Sequence, residues 1–229
     1  MSDSRPGSTD STIGLLGRRL RLGLIGGASW SFIGQVHRMA ARLDGHYELV
    51  AAALSSDPTR AREDARALGF APERSYGSWR ELIEAEARRE DGIDVLAVMT
   101  PNDSHVEICS AALDAGFHVI CDKPLANDVA GARALAAKVA ATRAEFCLTY
   151  CYSGYPMVRH AQAMAKAGEL GEIRVVQVEY PQDWLAEPLE ASGQKQADWR
   201  TDPARTGAGG STGDIGTHAF NLASFVTGL

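Results

Sequence analysis

Between Arg21 and Thr149, short apolar runs alternate with segments of helical periodicity. RLGLIGG, YELVAAALSS, IDVLAVMT, FHVICDKP and EFCLTY each read as a strand. The near-continuous apolar runs among them are the kind buried on both faces, which requires helices on either side of a parallel sheet. The segments between them supply those helices. Asp57 and Pro58 cap and open one of them, Gly69 closes it, and SWRE from Ser78 forms a capping box for the next. Strands alternating with helices predict an α/β fold with a doubly wound parallel sheet over residues 21–149, in which EFCLTY counts as a sixth strand.

The chemistry of the chain narrows the possible partners. The 229 residues carry a formal net charge of -6 without basic runs, which argues against nucleic acid. No apolar run approaches the roughly 20 residues that span a bilayer. Cys109, Cys121, Cys147 and Cys151 form no CxxC pair and no zinc spacing, so reduced, buried thiols in a cytoplasmic protein are expected and no metal. Residues 1–20, rich in Ser, Gly and Asp, read as a disordered tail. Arg18-Arg19 does not make an export signal, because the apolar run after it serves as the first strand.

Beyond Tyr150 the rhythm changes. YPMVRHAQAMAKAG reads as a helix and GEIRVVQVEYPQDW as a long alternating strand. An irregular stretch follows, then a helix from near Gly213. The strand at Arg174–Tyr180 has no later strand to pair with, and an isolated strand leaves its backbone groups unpaired. Residues 150–229 are therefore expected to be part of a domain, completed by more chain or by another chain.

RLGLIGGASWSFIGQVHR bears on function. In a dinucleotide fold the first glycines allow a tight turn close to the pyrophosphate, which faces a helix N-terminus. Gly26 and Gly27 serve the turn, and Gly34 serves close helix–strand packing. The insert ASWSFI departs from GxGxxG, and its Ser31, Phe32 and Ile33 are taken with Gly26 and Gly27 as cofactor contacts. An acidic residue at the end of the second strand would bind the ribose of NAD. Ser55 and Ser56 stand there instead, Asp57 is a helix cap, and Arg60 lies one turn on. Serine with a nearby arginine suits the 2′-phosphate of NADP, with NAD the alternative.

Four motifs in order, GLIGG…IGQVHR, TPNDSH, CDKPLA and GGSTGDIGTHAFNL, together resemble the Gfo/Idh/MocA family of NAD(P)-dependent oxidoreductases. The resemblance runs from Arg21 to the end. It implies a Rossmann domain followed by an α/β domain on an open, mostly antiparallel sheet, of which this chain holds only the beginning. It also implies that Lys123 is the catalytic lysine, with Asp122 where the family usually has Glu. Asp214 and His218 match the family's Asp-x-x-x-His, and Asn221 stands where a further acidic residue often follows. By the same resemblance Thr100, Pro101 and Asn102 line the cofactor. His105 and Asp122 are taken with them, and Lys123 with both sets, although His105 also reads simply as a helix start.

Oxidising a secondary alcohol needs a base near neutral pKa, for which histidine is the default. Asp214 and His218, at i and i+4, share a helix face. The resemblance makes His218 the acid/base and Asp214 a substrate-binding and orienting group, while the Lys123 charge favours an ionised alcohol. Tyr150, Tyr152, Tyr180, Trp184, Trp199 and Arg200 suit a polyhydroxylated ring or a core. Of these, Tyr152, Trp199 and Arg200 are the substrate candidates. The expected activity is hydride transfer between a nicotinamide cofactor and a sugar, cyclitol or related polyol. A catalytically idle nucleotide-binding fragment and a redox-type NAD-dependent glycosidase are the alternatives. A homo-oligomer is expected only of a fuller form.

Overall fold

A computed structural model describes residues 12–229. The chain divides into two compact units. The first runs to Thr100 and takes in Glu107–Ile120 and Lys138–Phe146. The second gathers Pro101–Val106, Cys121–Ala137 and Cys147–Leu229. This division is interleaved, unlike the single boundary read at residues 149/150.

The sheet has five strands: β1 (Leu20–Gly26), β2 (Tyr47–Ala53), β3 (Val95–Met99), β4 (His118–Cys121) and β5 (Phe146–Leu148). They lie in the order β2-β1-β3-β4-β5 as a parallel, Rossmann-like sheet. EFCLTY is thus the fifth strand, not the sixth. β1 pairs in parallel with both β2 and β3, with Gly26 opposite Met99. Strand order reverses between β1 and β3, so their carboxyl ends form the crevice where open α/β sheets take ligands.

The core of this unit forms on β1 and β3, where Leu22, Leu24, Val95 and Ala97 pack with Ala52 and Phe70. The helices form where their caps direct. In α2 (Phe32–Leu43) the Ser31 hydroxyl accepts from Gly34 N at 3.2 Å. In α3 (Pro58–Ala67) Asp57 accepts from Arg60 N at 2.8 Å. In α4 (Trp79–Glu86) Ser78 accepts from Glu81 N, while the Glu81 carboxylate reaches back to Gly77 N rather than to Ser78 N. The capping box therefore closes one residue earlier than its motif prescribes.

α2 turns an unexpected face to the sheet. Gly34, Arg38 and Ala41 are buried, whereas Phe32, Val36, Met39 and Leu43 are exposed. A Cβ on Gly34 would lie 2.2 Å from Gly27 O, so the helix can approach β1 only on its glycine side. Arg38 then lies beneath the turn and donates to Gly27 O at 2.6 Å.

The helices α5 (His105–Asp114) and α6 (Val129–Ala141) draw residues from both units, and the second unit carries α7 (Pro156–Lys166), α8 (Lys195–Thr201), α9 (Pro203–Thr206) and α10 (Thr217–Thr227). The strand expected at Arg174–Tyr180 is absent: residues 171–183 have no regular secondary structure, and Val175 is 84% exposed. An extended segment becomes a strand only when a neighbour takes its backbone hydrogen bonds, and none of the described segments pairs with it. The expected antiparallel sheet is accordingly not seen among the described residues.

Two smaller expectations change. Thr12–Leu16, assigned to the tail, is a short helix (α1), and residues 1–11 lie outside the described residues. Cys109 and Cys121 are buried free thiols as expected, but Cys147 and Cys151 are exposed, one on the last strand and one in a 3-10 turn. No described helix is long and apolar enough to cross a membrane.

A buried polar node ties α4 to the segment before it. Glu86, 1% exposed, accepts from Arg74 Nε at 3.0 Å and from the Tyr76 hydroxyl at 2.7 Å. Burial, followed by the bond to Glu86, pushes the Tyr76 hydroxyl pKa well above its ordinary value. Removing one member strands a charge in low dielectric. Glu86→Ala is therefore expected to destabilise the protein by about 3–5 kcal/mol in urea unfolding, and a loss under 1 kcal/mol would refute the role of the node.

Candidate functional site

The first unit builds a backbone cradle at the carboxyl end of β1. Gly26 and Gly27 both take positive φ, 76° and 72°. A Cβ on Gly26 would meet Met99 O at 2.7 Å, and one on Gly27 would meet Gly34 Cα at 2.9 Å. Only glycine satisfies both the dihedral and the space. The turn leads through Ser31 into α2, whose first-turn N–H groups lack intrahelical acceptors. A bare turn before a helix N-terminus is the geometry that takes a pyrophosphate. The insert ASWSFI does not disturb it, because Ser31 closes its own turn by donating N–H to Ala28 O at 2.8 Å.

Among the other cofactor candidates of this unit, Ser55 uses its hydroxyl to accept from Asp57 N at 3.2 Å. Ser56 and Arg60 are exposed beyond β2, and Thr100 is partly buried after β3.

The second unit brings together residues far apart in sequence. Lys123 follows β4, and its Nζ donates to Asp214 Oδ1 at 2.5 Å and to Asp214 O at 2.7 Å. Arg200 Nε donates to the other carboxylate oxygen, Oδ2, at 2.9 Å. Asp214 sits in a π-helical turn, Thr212–Gly216, and His218 in the first turn of α10. The i and i+4 pairing expected on a regular helix is thus carried by a widened turn, the kind often found at functional sites. Both residues are 8% exposed.

The electrostatics follow from this packing. Burial pushes the Asp214 carboxyl pKa up, but the Lys123 hydrogen bond and charge, with Arg200, outweigh it and hold the group below its usual range. Burial lowers the His218 pKa, the Lys123 charge lowers it further, and Asp214 opposes them without reversing the shift. His218 therefore favours its neutral form, able to accept a proton.

Three tyrosines surround that imidazole. Tyr152 lies edge-on with centroids 4.9 Å apart, Tyr150 edge-on at 5.9 Å and Tyr180 tilted at 6.3 Å. The Tyr152 and Tyr180 hydroxyls bond each other, and this bond, then burial, raises the Tyr152 pKa well above its ordinary value. Tyr150 shares a hydrogen bond with Thr217 at 2.6 Å. The Arg200 guanidinium lies 4.2 Å from the Trp199 ring centroid and 5.6 Å from that of Trp184.

The remaining candidates hold the loops of this unit. His105 is 0% exposed, and its Nδ1 lies 2.8 Å from Pro124 O. His105 thus links the Lys123–Pro124 loop to the helix His105–Asp114 that it opens, the helix start the sequence also offered. Asp122 accepts from the Thr149 hydroxyl at 2.8 Å. Asn102 is 5% exposed in a 3-10 turn that follows Pro101. Asn221 accepts from the Ser153 hydroxyl at 2.7 Å, a packing contact of α10. Tyr180 and Trp184, outside the chosen substrate set, join the cluster through a segment whose irregular path no periodicity announces. Among the described residues no cluster fits a metal ion.

Residues 20–150 match the model of an oxidoreductase family with an NAD-binding Rossmann fold, and residues 158–229 match the Gfo/Idh/MocA C-terminal domain. The chain is 34% identical to YfiI, an uncharacterised oxidoreductase of Bacillus subtilis, over 93% of this chain and 54% of that protein. It is 32% identical to levoglucosan dehydrogenase of Pseudarthrobacter phenanthrenivorans, over 92% of this chain and 52% of that enzyme. A crystal structure of an inositol dehydrogenase homologue from Azotobacter vinelandii, complexed with NAD+, superposes with a TM-score of 0.88 at 40% identity. It covers 91% of this chain and 54% of that one. The chain spans about half the length of the curated relatives it matches.

The electrostatics make a direct prediction. By NMR titration the His218 imidazole is expected to have its midpoint below 6.5. Lys123→Met should move that midpoint upward, because it removes a nearby positive charge while burial remains. An unchanged midpoint would show that the lysine charge does not act on His218.

Proposed function

Because the chain belongs to the Gfo/Idh/MocA family of oxidoreductases, we propose that it exchanges hydride between a nicotinamide dinucleotide and a secondary alcohol or carbonyl of a sugar, cyclitol or related polyol. The observation that carries this reading is the Lys123–Asp214 contact in the same unit as the buried His218. Functionally, residues 21–149 form the dinucleotide-binding domain and residues 150–229 part of the substrate domain.

The turn suits the cofactor, since the positive φ of Gly26 and Gly27 leaves bare backbone ahead of the N-terminus of α2. Gly26, Gly27 and the first turn of α2, from Ser31 through Phe32 and Ile33, hold the pyrophosphate. Ser55, Ser56 and Arg60 hold the 2′-phosphate of NADP, which we favour over NAD because no carboxylate other than the helix cap Asp57 ends β2. Thr100, Pro101 and Asn102 are further cofactor contacts by the family resemblance. When bound, the nicotinamide supplies or accepts the hydride.

The chain's own residues manage the proton. Neutral His218 takes the hydroxyl proton as the carbon gives up its hydride and the carbonyl forms; in reduction it returns that proton to the oxygen. Its lowered pKa keeps the base form populated at neutral pH and below, so the acid limb of activity should lie under pH 6.5. Lys123 favours the ionised alcohol with its charge, and Asp214 orients Lys123. The faces of Tyr152 and Trp199 suit the apolar side of a sugar ring.

Calorimetric titration of the chain with NADPH and NADH, beside Arg60→Ala, tests the cofactor reading. The variant should lose roughly tenfold or more in NADPH affinity, the scale of a hydrogen bond to a charged group, and keep its NADH affinity. Equal losses for both, or none, would remove Arg60 from the 2′-phosphate. A folded chain that binds neither cofactor would sink the reading. If cofactor binds, a polyol screen with Lys123→Ala and His218→Ala as controls separates an enzyme from a binding protein.

A further inference from the structure

We propose that Arg200 is a positioning residue of the Lys123–Asp214–His218 cluster, holding the Asp214 carboxylate so that its other oxygen stays on Lys123, in place of touching substrate. The inference rests on the reading that this cluster is the reacting site.

Three observations support it. First, the carboxylate is divided between two cations: Lys123 Nζ takes Oδ1 at 2.5 Å and Arg200 Nε takes Oδ2 at 2.9 Å. A carboxylate with one cation can rotate about its terminal bond. One that is bonded on both oxygens, at 8% exposure, is fixed. Second, the guanidinium is itself fixed, with its carbon 4.2 Å from the Trp199 centroid and 5.6 Å from that of Trp184. A planar cation over a ring face is held in orientation as well as place, which a lysine ammonium would not be. Third, the charges do not cancel: Lys123 and Arg200 bring two positive charges against the single negative charge of Asp214, and His218 favours neutrality. Because Lys123 and Arg200 share the one carboxylate, the cluster keeps a net positive charge beside Lys123 that can act on an oxygen becoming anionic. Without Arg200, the Lys123 charge would be balanced by Asp214.

No motif marks this arginine. It lies in the short helix α8, and only the fold brings it to a carboxylate fourteen residues further on.

Arg200→Met, which keeps the length and much of the packing on Trp199 but removes the charge, and Arg200→Lys test the proposal with two readouts. In the first, the Asp214 carboxyl is titrated by carbon-detected NMR. Its midpoint should rise in Arg200→Met and stay nearer the parent in Arg200→Lys. The second is steady-state kinetics on whichever polyol the parent oxidises. There kcat should fall by roughly tenfold or more in Arg200→Met, the scale of a misplaced reacting group, with KM little changed and partial recovery in Arg200→Lys. A raised KM at unchanged kcat would make Arg200 a substrate contact, and an unmoved Asp214 midpoint would show that it does not hold the carboxylate. Either result overturns the proposal. If the parent turns over no polyol, the reading of the cluster as an active site fails, and the titration alone decides whether Arg200 holds Asp214.

Discussion

The backbone of α2 can approach the turn after β1 only because neither Gly27 nor Gly34 carries a side chain. With a Cβ at Gly34 only 2.2 Å from Gly27 O, no other residue is tolerated without moving the helix. The contact fixes the rotation of α2. It places Arg38 under the turn and leaves Phe32, Val36, Met39 and Leu43 at the surface. It also sets the N-terminus of α2, whose Gly34 N–H is taken by the Ser31 hydroxyl, near the carboxyl end of β1, where reversal of strand order opens a crevice. Packing and ligand geometry thus share one backbone contact.

The second unit is organised around a charge. Burying Asp214 alone would be costly, and the fold meets that cost with Lys123 and Arg200 rather than by protonating the acid. The same arrangement keeps His218 neutral, since burial and the lysine charge both disfavour its protonation. In the proposed reaction the two are complementary: the imidazole would remove a proton and the ammonium charge would favour the anion that remains. Tyr150, Tyr152 and Tyr180 give the imidazole its apolar surroundings while satisfying their own hydroxyls with partners.

How legible each part was in the sequence depended on how local its cause is. β1, β2 and β3 read directly as apolar runs, and Asp57 and Ser78 announced their helices, because capping is decided within four residues; the Ser31 cap of α2 emerged only in the fold. The motif resemblance supplied Lys123, Asp214 and His218, which the fold brings into one cluster. What failed was non-local. The Arg174–Tyr180 segment alternates like a strand but has no described partner. The exposed face of α2 contradicts its apolar periodicity because backbone approach outweighs side-chain burial there.

The sequence by itself determined the strand–helix alternation, the caps at Asp57 and Ser78, the glycine turn and the residue types able to handle a proton, since each depends on near neighbours or on chemical identity. Only the tertiary structure decided which cation meets which oxygen of Asp214, that a π turn separates it from His218, and that Arg200 joins them. Those facts depend on contacts between segments as far apart as Lys123 and Asp214, and the strength of a charge depends on a burial that no local pattern specifies.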